Sequence, residues 1–171
     1  MSLRELEPKP RPLSFEEVVR AACEVTLRDG YHVPTFVVDS TDQVVFVQLE
    51  SLAPTPEERQ RQMYLLGGDV AAASGAGSLR KVFWVAQSFM FRPENRDWLE
   101  GAPSQSPSYL EVLVVSGFDA ATQETRTALF ELLRDKGGSV HDLLDLGVGQ
   151  DNADPADIPL LTAFVEGFSG K

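Results

Sequence analysis

Residues 81–91 read Lys-Val-Phe-Trp-Val-Ala-Gln-Ser-Phe-Met-Phe, and this stretch decides the interpretation of the fold. Because side chains in a strand alternate between its two faces, the stretch divides into two sets. Both sets are mainly apolar: one is Phe83, Val85, Phe89 and Phe91, and the other is Val82, Trp84, Ala86 and Met90. An antiparallel sheet with one face in water shows clean apolar and polar alternation. We therefore expect a strand whose two faces are both covered.

The same two-sided apolar pattern recurs at residues 109–116. The whole sheet, and not one strand alone, therefore needs something to cover its second face. One candidate for that cover is the C-terminal tail, residues 139–171, folding back over the sheet. The other is a second subunit, because monomers rarely leave large apolar patches in water. This second interpretation predicts a homodimer that contacts the face carrying Trp84, Ala86 and Met90.

Helix and hairpin signals lie upstream of these two strands. Residues 14–17 read Ser-Phe-Glu-Glu, a capping box that predicts a first helix ending before Gly30. Residues 33–38 and 44–49 are apolar and rich in β-branched side chains, with a polar turn between them. Two such runs joined by a short turn predict a β-hairpin.

A second helix is predicted from residues 55–58, Thr-Pro-Glu-Glu, to about residue 73. Two adjacent glycines, Gly67 and Gly68, lie in its interior. Glycine is unfavourable in a helix, by about 1 kcal/mol relative to alanine. The pair therefore indicates either close packing against another backbone or a kink.

The C-terminal half leaves one element open. Residues 122–134 suit either a helix or a strand that pairs with residues 140–146, and we favour the hairpin. Residues 158–168 predict a short apolar helix. The fold class that follows is α+β, a mainly antiparallel sheet with helices packed on one face. Its approximate order is α-β-β-α-β-β-(β-β)-α.

The chain length of 171 residues predicts a single domain over residues 1–171. Within it, residues 1–13 form a proline-rich extended lead-in, and residues 147–157 form an acidic loop. Residues 92–108 carry three prolines and no regular pattern. They predict a long flexible loop, the most mobile internal segment and the first to be cut by a protease.

Composition narrows the expected partners and compartment. The 26 acidic and 15 basic residues give a formal net charge of −11, which repels phosphate backbones and argues against nucleic acid as a partner. No apolar run is long enough to span a bilayer, so no membrane association is expected. The single cysteine, Cys23, excludes an internal disulfide and predicts a buried structural thiol in a cytoplasmic protein.

Recognisable chemical motifs are missing from the sequence. The glycine-rich residues 74–78 lack the lysine of a phosphate-binding loop and follow a helix instead of a strand. His32 and His141 are isolated, and residues 151–157 lack the glycine and glutamate of a calcium-binding loop. We therefore predict no catalytic residues, no metal site and no cofactor.

Four residues are weak candidates for lining a pocket: His32, Gln87, Glu111 and Trp98. His32 opens the first hairpin strand, while Gln87 and Glu111 interrupt apolar strands. Buried polar groups are costly unless they are partnered, so each of these either lines a pocket or is satisfied structurally. Trp98 is the one aromatic side chain of the 92–108 segment and its one large anchor.

The function that this pattern favours is a non-catalytic binding or assembly module that forms a homo-oligomer, with a homodimer or another protein as its partner. Two alternatives stay open. The first is a ligand-sensing domain that holds a small molecule in an apolar pocket under residues 92–108. The second is an enzyme, a hydrolase with its site near His32, Gln87 and Glu111. The lack of motifs favours binding over catalysis.

Overall fold

The protein is represented by a computed structural model that describes residues 11–73, 77–91, 109–149 and 157–170. Most of the predicted lead-in, the predicted loop at 92–108 and the candidate Trp98 lie outside these ranges.

The predicted order of elements is confirmed, with three helices and six strands in the described residues. They are α1 (Phe15–Asp29), β1 (Thr35–Ser40), β2 (Val44–Gln48), α2 (Pro56–Ala73), β3 (Leu79–Phe91), β4 (Tyr109–Asp119), β5 (Glu124–Arg134), β6 (Val140–Gly149) and α3 (Asp157–Ser169). The ambiguous segment forms β5, so the hairpin interpretation is the correct one. The predicted acidic loop at 147–157 is wrong at its start, because β6 continues to Gly149, and residues 150–156 lie outside the described ranges.

All six strands form one antiparallel sheet in the order β2-β1-β3-β4-β5-β6. β3 pairs with the full length of β4, from Lys81 opposite Asp119 to Phe91 opposite Tyr109. The short hairpin β1–β2 extends the sheet on one side, and β2 and β6 are its edge strands. The fold class is therefore α+β with helices packed against an antiparallel sheet.

The placement of the helices corrects one detail of the prediction, which put them on one face. α2 and α3 pack over the face that carries Phe36 and Trp84, whereas α1 packs over the opposite face, against Phe83 and Leu113. The physical reason is the two-sided apolarity of β3, which requires a cover on each face. We call the two sides the α2–α3 face and the α1 face.

The predicted dimer contact on the α2–α3 face is wrong, because that face is covered within the chain. Trp84 is 1% exposed and Ala86 is 6% exposed. The ring of Phe36 lies 4.6 Å from that of Trp84 and 4.3 Å from that of Phe164 in α3, measured between centroids. The tail, through α3, therefore supplies the cover together with α2, and the homodimer itself stays a prediction without this contact surface.

Close approach of α2 and α3 depends on glycine, as one interpretation of the sequence proposed. A Cβ placed on Gly67 would overlap the carbonyl oxygen of Phe164, and one on Gly167 would overlap the carbonyl oxygen of Tyr64. A Cβ on Gly68 would meet only an ordinary contact, 3.6 Å from the nearest atom. Close backbone packing is thus confirmed at Gly67.

Candidate binding groove

The two ends of α1 are fixed by a capping box at its N-terminus and a glycine at its C-terminus. Ser14 accepts a hydrogen bond from the backbone of Glu17, and the Glu17 side chain accepts one from the backbone of Ser14, which completes the predicted capping box. Gly30 stops the helix with a φ of 80°, a left-handed conformation that glycine adopts without strain. The helix makes its main sheet contacts with β3, β4 and β6, so the β1–β2 hairpin lies beside it.

A groove runs between α1 and the β1–β2 hairpin, with a cavity volume of about 340 Å³. We call it the α1–β2 groove. Its apolar lining comes from both elements and from the floor of the sheet: Val18, Ala22, Val25, Val37, Phe46 and Val85. Phe46, on the edge strand, leaves 68% of its surface in solvent. A large apolar side chain with most of its surface in solvent, next to an apolar cavity, is typical of a binding surface.

His32 lies at the end of the groove nearest the C-terminus of α1, together with Tyr31. Its Nδ1 lies 2.8 Å from the carbonyl oxygen of Val33. Burial lowers the pKa of the imidazole, against the opposing effects of the Val33 carbonyl and the Asp29 carboxylate. The ring is therefore neutral near neutral pH.

Three of the four predicted site residues are joined by hydrogen bonds. The backbone N–H of His32 donates to Oε1 of Gln87 at 2.6 Å. The amide of Gln87 donates to Oε1 of Glu111 at 3.2 Å. Both side chains lie on the α1 face, at positions where the strands were expected to be apolar. The tertiary structure thus assembles His32, Gln87 and Glu111, which are far apart in the chain.

Arg134 completes this chain and was missed by sequence reasoning. Its guanidinium donates two hydrogen bonds to Glu111 and one each to the carbonyl oxygens of Gly30 and Gly138. An arginine at the end of a strand carries no signal of this role in the sequence, because its partners come from three other segments. Gln87 and Glu111 are therefore satisfied as structural groups, while the imidazole of His32 remains available to the groove.

The outer edge of β2 borders the same groove and exposes backbone groups. The N–H of Ser40 donates to Gln43, and the N–H of Leu49 donates to Pro34. In an antiparallel pair, hydrogen-bonded positions recur at every second residue. With the observed register, the N–H and C=O groups of Val44, Phe46 and Gln48 therefore point away from β1. The described residues give these groups no hydrogen-bond partner.

The two edges of the sheet differ in how well they are protected against pairing. β6 carries Asp142 and Asp145, has two register irregularities against β5 and contains Gly147 with a φ of 110°. Charges and bulges of this kind discourage the addition of another strand. β2, Val-Val-Phe-Val-Gln, has no charge and no proline, and its register against β1 is unbroken. β2 is thus the open edge.

A larger and more open cavity, of about 870 Å³, lies on the α2–α3 face between α3 and the β4–β5 turn. Among the described residues that line it, Glu166 is the one ionisable side chain. The α1–β2 groove, which is walled by α1 and the β1–β2 hairpin, is the candidate site.

Within residues 11–73, 77–91, 109–149 and 157–170, no group of three or more His, Cys, Asp or Glu side chains converges as a metal site would. Nor does any helix there combine the length and apolarity needed to cross a membrane.

Comparison of the chain with known protein families, with curated proteins and with solved structures gives no match.

Proposed function

We propose that this chain is a non-catalytic binding module that holds an extended segment of a partner protein along β2, beside the α1–β2 groove. The observation that supports the proposal most strongly is the contrast between the two edges, one protected and one open. An open, uncharged edge strand is a ready template for pairing with another chain. A single cysteine without a partner supports a cytoplasmic location for this activity.

Strand addition accounts for both features of the site. The outward groups of Val44, Phe46 and Gln48 supply main-chain hydrogen bonds for affinity, and the groove supplies side-chain contacts for specificity. The side chains of these three residues lie on the α1 face, because Phe46 pairs with Val37 of the groove floor. Alternate side chains of an added strand therefore lie on the groove side.

Charge indicates the chemistry of the partner. Asp42 and Glu50 flank the two ends of β2 and are exposed, and the whole chain carries a net charge of −11. Two β2 strands paired antiparallel about Phe46 would bring Asp42 next to Glu50 of the second copy, since both lie four positions from Phe46. Like charges so placed disfavour self-pairing. The occupant we propose is an apolar segment of another protein with a basic residue at each end.

The test uses a fluorescent peptide, Lys-Thr-Val-Thr-Val-Thr-Val-Thr-Lys, titrated with the full chain and followed by anisotropy. We expect saturable binding that is lost in Phe46→Pro, which removes an outward N–H and the exposed ring but no hydrogen bond to β1. Leu144→Lys, on β6, is the matched edge control and is expected to bind normally. The same peptide N-methylated at alternate residues is expected not to bind.

Three outcomes would overturn the proposal. One is equal binding by the Phe46→Pro and wild-type chains, and another is equal binding of the N-methylated peptide. The third concerns the homodimer predicted from the sequence. Light scattering that gives twice the chain mass of 18.8 kDa, restored to the monomer mass by Phe46→Pro, would make a second copy the occupant.

The ligand-sensing alternative has one observation in its favour, the defined apolar volume of the groove. The walls of this groove are α1 and the β1–β2 hairpin, whereas the sequence placed the pocket under residues 92–108. The hydrolase alternative has less support, because Gln87 and Glu111 are engaged in structural hydrogen bonds.

A further inference from the structure

We propose that the His32 end of the α1–β2 groove takes an aromatic ring bearing a neutral O–H or N–H donor, which hydrogen-bonds Nε2 of His32. This inference rests on the proposed function: the ring is a tyrosine or tryptophan side chain of the bound segment. It names the side chain that the site selects.

The role of Nε2 follows from the partner of the other ring nitrogen. The Val33 carbonyl oxygen can only accept, so Nδ1 of His32 carries the hydrogen of that 2.8 Å contact. In a neutral imidazole the other nitrogen is then a lone-pair acceptor. No hydrogen bond to Nε2 is found among the residues that the structure describes. A ligand that displaces water from this end of the groove satisfies Nε2 by bringing a hydrogen-bond donor.

The surroundings of His32 restrict that donor to a neutral group. The apolar side chains of Val25 and Val33 line the groove here, and an unpaired charge against them is costly. The charged groups that line this end, Arg28 and Asp29, are already paired, at 2.8 and 2.9 Å. A lysine or arginine of the ligand would therefore find no free carboxylate at this end of the groove.

The shape of the lining favours a ring. Phe46 and Tyr31 both line the groove and are exposed by 68% and 57%. Aromatic rings pack against one another in stacked or edge-to-face arrangements that add to the burial of their surface. A phenol or an indole combines such a ring with one polar donor.

The test compares matched probes on the full wild-type chain by isothermal titration and by chemical-shift changes of His32. p-Cresol donates a hydrogen bond, and 4-methylanisole has the same ring but cannot donate. We expect p-cresol to bind roughly threefold to tenfold more tightly, the effect of one hydrogen bond. We expect the same advantage for the peptide of the previous test with its central valine changed to Tyr instead of Phe. In His32→Phe both preferences are expected to disappear.

The outcomes separate this inference from the function on which it rests. Equal affinity of p-cresol and 4-methylanisole for the wild-type chain, together with equal affinity of the Tyr and Phe peptides, would overturn the inference while leaving strand addition intact. A donor preference that persists in His32→Phe would also overturn it. If the Val peptide fails to bind but p-cresol is preferred and depends on His32, the donor site stands and the strand-addition proposal fails.

Discussion

The guanidinium of Arg134 donates two parallel hydrogen bonds to the carboxylate of Glu111, from Nε to Oε2 at 2.7 Å and from Nη2 to Oε1 at 2.6 Å. The two residues lie on the neighbouring strands β4 and β5. The same guanidinium reaches the carbonyl oxygen of Gly30, at the end of α1, at 3.1 Å. This ion pair therefore fastens the C-terminus of α1, and with it one end of the groove, to the sheet.

Replacing Arg134 by methionine is expected to lower the free energy of unfolding by about 1–2 kcal/mol. The substitution removes charge-assisted hydrogen bonds, and the expected loss is modest because the Arg134–Glu111 pair is partly exposed to solvent. Urea denaturation measures the change. Arg28→Met is the control, because its ion pair with Asp29 is a surface contact between sequence neighbours, and its removal should cost clearly less than that of Arg134. Equal losses in the two variants would contradict the structural role of Arg134.

Gly67→Ala is expected to destabilise the chain by about 1–3 kcal/mol, because the added methyl group collides with the backbone of Phe164. Gly68→Ala is the matched control one position along the same helix. Its Cβ has room, and the higher helix propensity of alanine should stabilise by up to about 1 kcal/mol. Thermal and chemical denaturation of both variants measure the difference. A Gly67→Ala chain as stable as Gly68→Ala would show that α2 and α3 do not meet at this glycine.

Stability is expected to fall in mild acid because of His32. Burial lowers the pKa of His32 in the folded chain below its ordinary 6.5, so the unfolded chain binds the proton more readily. The contribution of His32 is therefore fully present above about pH 6.5 and is lost as pH falls below it. The nearby carboxylate of Asp29 opposes the lowering of the His32 pKa. Asp29 is itself paired with Arg28.

Unfolding free energies of the wild type and His32→Phe, measured between about pH 5 and pH 8, test this expectation. The variant should show the shallower decline toward acid, and parallel curves would show that His32 does not contribute.

Cys23 is expected to react slowly with iodoacetamide in the folded chain. Its thiol is half-buried against the α1-face core, and burial, followed by the charges of Asp145 and Glu24, raises its pKa to about 11. Only roughly one thiol in a thousand is then ionised at about pH 8, and the thiolate is the reactive form. Mass spectrometry of the alkylated chain gives the rate, with the urea-unfolded chain as the fast reference. Equal alkylation rates for the folded and the urea-unfolded chain would contradict the prediction that Cys23 is protected.

The candidate site could be read from the sequence only in part. Gln87 and Glu111 stood out because a polar residue in an apolar strand needs a partner, and the structure supplies one for each. Arg134 gave no such signal, because an arginine at a strand end is ordinary surface. The α1–β2 groove was also hidden, since it depends on where a helix crosses a sheet.

The sequence by itself determined the order of the elements outside residues 122–134, the capping of α1 at Ser14, the presence of two glycines inside α2 and the need to cover both faces of β3. These are local properties, set by the alternation of side chains, by caps and by the lack of a side chain on glycine. Only the tertiary structure decided which helix covers which face, that the tail covers Trp84, and that His32, Gln87 and Glu111 meet. The reason is physical: an apolar face specifies that it must be buried, and any apolar partner of suitable shape meets that requirement.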